Sequence, residues 1–150
     1  MQRWHTLAAH YNHKYGCRVQ KIPLDAGACC PNRDGTLSSD GCIFCNANGS
    51  GSGRAKRGHS LLQQWDALRA VYLRDDPNTR FIAYLQSFSN TYGPQKRLQQ
   101  LLHTVRSLPQ CFGVAVGTRP DCLDAPKLDT LAALDCDLWL ELGLQTAHDP

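Results

Sequence analysis

The chain has 150 residues, of which 42% are hydrophobic and 19% charged, with a formal net charge of +3. That length suits one domain with a real core, and so small a charge gives little support for a nucleic-acid partner. No apolar run of about 20 residues is present, which excludes a membrane-spanning helix. The opening MQRWHTLAAHYNHKYG lacks the apolar stretch of a secretory signal, which favours the cytoplasm.

In chain order, residues 1–18 read as a lead-in, with a short helix ending at Gly16. Val19 to Asp25 (VQKIPLD) reads as a strand, irregular at Pro23. Residues 26–59 form a long Gly/Asn/Ser-rich loop, and loops of that length in a compact domain are functional or disordered. Ser60 is placed to cap a helix with Leu61, Leu62, Trp65, Leu68, Val71 and Tyr72 at helical spacing. Phe81–Leu85 is an apolar strand. Pro94 opens a helix striped by Leu98, Leu101, Leu102 and Val105. Phe112–Val116 is the next strand, Pro126 opens a helix with Leu128, Leu131 and Leu134, and Leu138–Leu142 is the last strand.

Continuous apolar strands alternating with amphipathic helices predict an α/β domain over 19–150, built on a parallel sheet. The unusual polar residues all follow strands. In such folds the C-terminal strand ends converge on one rim, where sites form. The sequence stops at ELGLQTAHDP, directly after a strand-like run, and the expectation is an N-terminal part of a longer protein, with its C-terminal part missing.

Eight cysteines in a cytosolic chain point to metal or catalytic use rather than disulfides. Cys30, Cys42 and Cys45 are spaced C-x11-C-x2-C inside the long loop. Three thiolates can hold three irons of a 4Fe–4S cluster and leave the fourth iron open to another ligand. Cys29 could replace Cys30 on spacing alone. Cys17, Cys111, Cys122 and Cys136 lack ligand spacing and read as buried small hydrophobes, with Cys122 the exception nearest the rim.

The runs CPNRDGT, GC-x-FC, GSG, YLQSFSNTYGP, GTRPDCL and ELGLQTAHD resemble the blocks of a bacterial radical SAM family labelled YhcC-like. TRPD followed by EL-G-x-Q is similar, more distantly, to the catalytic subunit of Elongator. The resemblance implies a partial (β/α)6 barrel truncated after its fourth strand. It selects Cys30 over Cys29, and implies Cys30, Cys42 and Cys45 as cluster ligands. It also implies S-adenosylmethionine (SAM) as the second cofactor, cleaved to a 5'-deoxyadenosyl radical with electrons from a cellular donor. The Elongator-like pattern implies tRNA as the substrate.

Within that resemblance, Phe44 is placed beside the adenine of SAM, or else plugs the core under the loop. Gly49, Gly51 and Gly53 let backbone approach a ligand. Asn32 and Arg33 are the functional candidates of the Pro31–Gly35 turn. Gln86, Ser87 and Asn90 offer neutral oxygens suited to the SAM ammonium, although Ser87 equally suits loop capping. Arg119 can neutralise a carboxylate, oriented by Asp121. Gly117 stands where the Elongator pattern has Glu, which removes a ribose contact. Glu141 and Gln145 are candidates for ribose or ammonium contacts, and Glu141 alternatively forms a core ion pair with Arg119.

Other features read more plainly. Arg54, Lys56 and Arg57 form a basic cluster that could touch RNA phosphates or simply be solvated. His5, His10 and His13 read as surface histidines on a helix. A competing reading of the cysteines is a zinc-binding module, but structural zinc prefers a C-x2-4-C pair at both ends and only Cys42 and Cys45 form one. A doubly wound nucleotide-binding domain leaves the cysteines unexplained and lacks G-x-G-x-x-G.

Overall fold

The structure, a computed structural model, describes residues 4–49, 51–144 and 148. It is an α/β fold with four helices and one four-stranded parallel sheet: α1 (Leu7–Tyr15), β1 (Val19–Leu24), α2 (Leu61–Asp75), β2 (Arg80–Leu85), α3 (Gln95–Arg106), β3 (Cys111–Thr118), α4 (Ala125–Ala132) and β4 (Asp137–Leu142). A 3-10 turn at Pro120–Cys122 separates β3 from α4. The strands lie in sequence order, β1-β2-β3-β4, all parallel.

The helix ends follow local chemistry. Ser60 and Gln63 form a reciprocal capping box at the start of α2. Asp124 accepts from Lys127 N–H to cap α4, with Pro126 in its first turn. Gly16 ends α1 at φ +64, a left-handed conformation that suits glycine. Pro94 is the N-cap of α3, one place earlier than the sequence suggests, because the first helical residue is Gln95.

One face of the sheet carries Ile22, Leu24, Phe81, Ala83, Leu85, Val114 and Val116, which pack with Trp65 of α2, the Leu98–Val105 stripe of α3 and Leu131 of α4. Two positions expected on the inner stripe of α2 are instead exposed, Leu62 at 49% and Val71 at 42%, while Gln64 is buried at 1%. The helix is rotated so that this amide, not Leu62, faces inward. Leu128 of α4 is likewise 46% exposed. Of the four other cysteines expected in the core, only Cys122 is fully enclosed; Cys17, Cys111 and Cys136 are half-buried.

The opposite face carries a second cluster, in which Tyr11 of α1 packs on Ile82 and Ala115, flanked by Tyr15, Phe112, Tyr84 and Trp139. The lead-in helix is therefore part of the packed body. His10 meets the Trp139 ring edge-on at 5.7 Å. Beyond Phe112 near its start, β3 presents Gly113, Ala115 and Gly117 on this face, the partners in register of the row that includes Ile82, Tyr84 and Glu141.

An ion pair joins the two outer strands across this face, from Lys21 of β1 to Glu141 of β4. In register Lys21 lies level with Ile82, Gly113 and Asp137, four residues short of Glu141. In a flat sheet the two residues would lie about 19 Å apart by ordinary strand and residue spacings. Their contact requires the sheet to curl, with this face concave.

Candidate functional site

The C-terminal ends of all four strands open onto one cavity of about 630 Å³, a volume in the range of small-ligand sites. The loop after β1 contributes Cys30, Asn32, Arg33, Cys42, Phe44, Cys45 and Gly49. The segment after β2 contributes Gln86, Phe88 and Ser89. The end of β3 contributes Gly117 to Asp121, and the end of β4 Glu141 to Gly143. Each loop is tied to the next through backbone. Ser89 N–H donates to the Cys29 carbonyl, Phe88 N–H to Gly49, Asn90 N–H to Gly117 and Gly143 N–H to Thr118.

Cys30, Cys42 and Cys45 share this cavity, whereas Cys29 is exposed and outside it. Cys42 and Cys45 bracket a turn closed by Cys45 N–H to the Cys42 carbonyl at 2.9 Å. Asn32 Nδ2 lies 3.1 Å from Cys42 Sγ, an N–H donor aimed at sulfur. Burial and then the neighbouring Cys42 push the Cys45 thiol up, while Arg33 works against them. Among the described residues no group of three or more His, Cys, Asp or Glu is gathered closely enough to hold a single metal ion.

Arg119 and Asp121 form a two-pronged pair at 2.8 and 2.6 Å on the cavity wall. Arg119 holds the Asp121 carboxyl below its ordinary value. Glu141 does not pair with Arg119, the alternative raised from sequence. It pairs with Lys21, and Tyr84 also bonds it. Burial raises the Glu141 carboxyl, but Lys21 and Tyr84 together outweigh it and hold the value low. Burial first, and Glu141 next, push the Tyr84 phenol up to about 12. The Lys21 ammonium lies 4.7 Å from the Tyr84 ring centre and 6.0 Å from that of Trp139.

Other expected contacts are placed differently. Phe44 is on the cavity but 59% exposed, so it does not plug a core. Gln86 lines the cavity. Asn90 does not: it is fully buried, and Nδ2 donates to the carbonyls of Leu85, Ser87 and Gly117 at 3.0, 3.3 and 3.1 Å. It braces the ends of β2 and β3. Gly51 is also away from the cavity, and a Cβ there would lie 1.8 Å from Ser87 Oγ. The N–H groups of Gly49 and Gly51 are taken by Asn46 and Asn48 carbonyls, so these glycines make room for protein side chains rather than donate to a ligand. Gln145 lies outside the described residues. The basic cluster is engaged in the loop itself: Arg54, Lys56 and Arg57 donate to the carbonyls of Gln64, Ala47 and Ser52.

Sequence reasoning missed Tyr84, Phe88 and Lys21. Tyr84 had a faint signal, since it alternates with Ile82 on the strand. Phe88 had none: it adopts φ +58, rare for an aromatic residue, and stacks under the Arg33 guanidinium at 5.4 Å.

Comparison with known proteins follows this geometry. The chain is 40% identical over 150 residues to the uncharacterized protein YtqA of Bacillus subtilis, covering 99% of this chain and 47% of the relative. It is 37% identical over 139 residues to protein YhcC of Escherichia coli K12, covering 91% and 44%. It is 30% identical over 144 residues to the uncharacterized protein MJ0486 of Methanocaldococcus jannaschii, covering 90% and 42%. The chain thus spans a little under half the length of these curated relatives. No family model matches it, and no solved structure matches it. These findings correct the family assignment made from motifs. Membership of a radical SAM family with an Elongator-like branch, with this chain as its N-terminal part, is not supported. No family model carries it, and the names of the relatives state no such activity.

Proposed function

We propose that this chain performs radical SAM chemistry, with Cys30, Cys42 and Cys45 holding a 4Fe–4S cluster and SAM lying beside it in the cavity. The carrying observation is that three thiols and the polar groups of four strand ends converge on one cavity. When bound, the reduced cluster would supply one electron to the sulfonium of SAM, so that its C5'–S bond would break to methionine and a 5'-deoxyadenosyl radical, which would take a hydrogen atom from a substrate and leave as 5'-deoxyadenosine. The donor set suits the cluster. Sulfur ligands belong to separate irons and need not be gathered as around one zinc, and the Asn32 N–H at Cys42 supplies the sulfur hydrogen bond that tunes such centres.

The other residues bind and orient. Gln86 and Glu141 present oxygens to an ammonium or a ribose hydroxyl, and Glu141 is kept ionised by Lys21. Arg119, held by Asp121, presents a guanidinium edge suited to a carboxylate. Phe44 offers an exposed ring to a purine. The curl that brings Lys21 to Glu141 supports reading the four strands as part of a (β/α)6 barrel. A cytoplasmic one-electron donor completes the proposal. The zinc-module reading gains no observation of its own, since no single-ion group is present among the described residues.

Oxygen-free reconstitution with iron and sulfide, followed by reduction with SAM present, tests this reading. A brown protein that releases 5'-deoxyadenosine, with loss of that release in Cys42→Ala, is expected. A colourless protein carrying one zinc per chain overturns it.

A further inference from the structure

The loop between β1 and α2 carries the three thiols of the cavity, yet its described residues form no helix or strand. Backbone turns order its middle, and side chains tie its two ends to the fold. Two buried polar residues stand where it leaves and rejoins the fold: Asp25, directly after β1, is 6% exposed, and Gln64, in the first turn of α2, is 1% exposed. Gln64 Oε1 accepts from Asp25 N–H at 2.9 Å, and its Nε2 donates to the Asp25 carbonyl at 3.0 Å. The side-chain amide thus meets the Asp25 backbone as a neighbouring strand would. The same nitrogen donates to the His59 carbonyl at 3.1 Å. In turn Asp25 Oδ1 accepts from Gly27 N–H at 3.1 Å, and Oδ2 from Ala55 N–H at 3.2 Å. Gly27 lies at the start of the loop, and Ala55 and His59 at its end.

We infer that Asp25 and Gln64 are positioning residues that clamp both ends of the cysteine loop, so that Cys30 meets Cys42 and Cys45 on one cavity before any cofactor arrives. The chemistry is selective. Only an amide at position 64 both accepts from the Asp25 N–H and donates twice, and only a carboxylate at position 25 accepts on both oxygens. Holding the ends together also removes the closure entropy that a long loop would otherwise oppose to ligation. The role assigned to the clamp rests on the cluster reading above; the clamp itself belongs to the metal-free chain.

The test uses Gln64→Glu and Asp25→Asn, both close in shape to the native residues, in the full chain. Amide hydrogen exchange in metal-free protein at Gly27 and Ala55 should speed up by at least about tenfold in each, as expected for buried hydrogen bonds lost. Exchange at Ile82 and Val114 in the sheet should hold, and the yield of iron and sulfide per chain at limiting iron should fall several-fold. A purely structural role would instead loosen loop and sheet together. Unchanged protection of the loop in Asp25→Asn, or full iron uptake despite a loosened loop, overturns the inference. Should Gln64→Glu not fold, Asp25→Asn decides alone. Failure of the unsubstituted chain to take up iron and sulfide would sink the cluster reading, while the exchange result would still decide the clamp.

Discussion

Gly49 offers a sharp test of how the cavity wall is built. It is buried at φ +58, and a Cβ there would lie 2.4 Å from the Phe88 ring. Gly58 shares the left-handed conformation, at φ +79, but has nothing within 4 Å of the same atom. An alanine at Gly58 therefore pays only backbone strain, about 1 kcal/mol. Gly49→Ala pays that strain plus overpacking of about 1–3 kcal/mol, because Phe88 is itself held by the Arg33 guanidinium and cannot simply swing away. Urea unfolding of the two variants should show Gly49→Ala less stable than Gly58→Ala by that overpacking term. In a Phe88→Ala background the extra cost should vanish, since the two sites are in contact and couple. Equal destabilisation by the two alanines would refute the reasoning, as would a Gly49→Ala cost that survives loss of the ring.

Four further outcomes follow from the same geometry. Asn90→Ala should cost about 1–3 kcal/mol in urea unfolding, because it removes buried hydrogen bonds to the carbonyls of Leu85 and Ser87, while the Gly117 carbonyl keeps its bond from the residue's backbone N–H. Lys21→Met should raise the Glu141 carboxyl titration measured by NMR, since burial then acts with only Tyr84 to oppose it. Asp121 is depressed in the folded chain by Arg119, so its contribution to stability is present above the ordinary carboxylate value of about 4 and lost as pH falls through the folded value. Asp121→Asn should flatten that acid limb only modestly, because the pair is partly exposed and screened. Tyr84 should stay protonated until about pH 12 in absorbance titration, and Glu141→Gln should lower that value.

The alternation of strands and helices was legible because each strand is a short apolar run and each helix carries punctuation such as Ser60 and Gly16. The gathering of thiols at strand ends was legible too, since parallel α/β topology sends those loops to one rim. What the sequence hid depends on the third dimension. Lys21 meets Glu141 only because the sheet curls, and no spacing along the chain encodes that approach. Gly49 and Gly51 both looked like ligand-facing glycines, but a missing side chain does not say what takes its place: Phe88 crowds Gly49, which still lines the cavity, and Ser87 takes the space beside Gly51. Gln64, between Gln63 and Trp65, falls outside the apolar stripe of α2, and its burial follows from the backbone groups of Asp25 that needed an amide. Asn90, chosen as a ligand contact for its oxygen, is buried off the cavity, and its amide nitrogen is committed to three carbonyls.

The sparse inner side of β3 has one more implication. Gly117, at the end of β3, leaves the floor of the cavity open, and a methyl there would come within 3.2 Å of the Leu85 carbonyl. Whatever the cavity admits is thus sized in part by one position that carries no side chain. A bulkier residue at Gly117 would shrink the space from beneath without replacing any thiol or charged group of the wall, which makes this position the natural place to alter which guests fit.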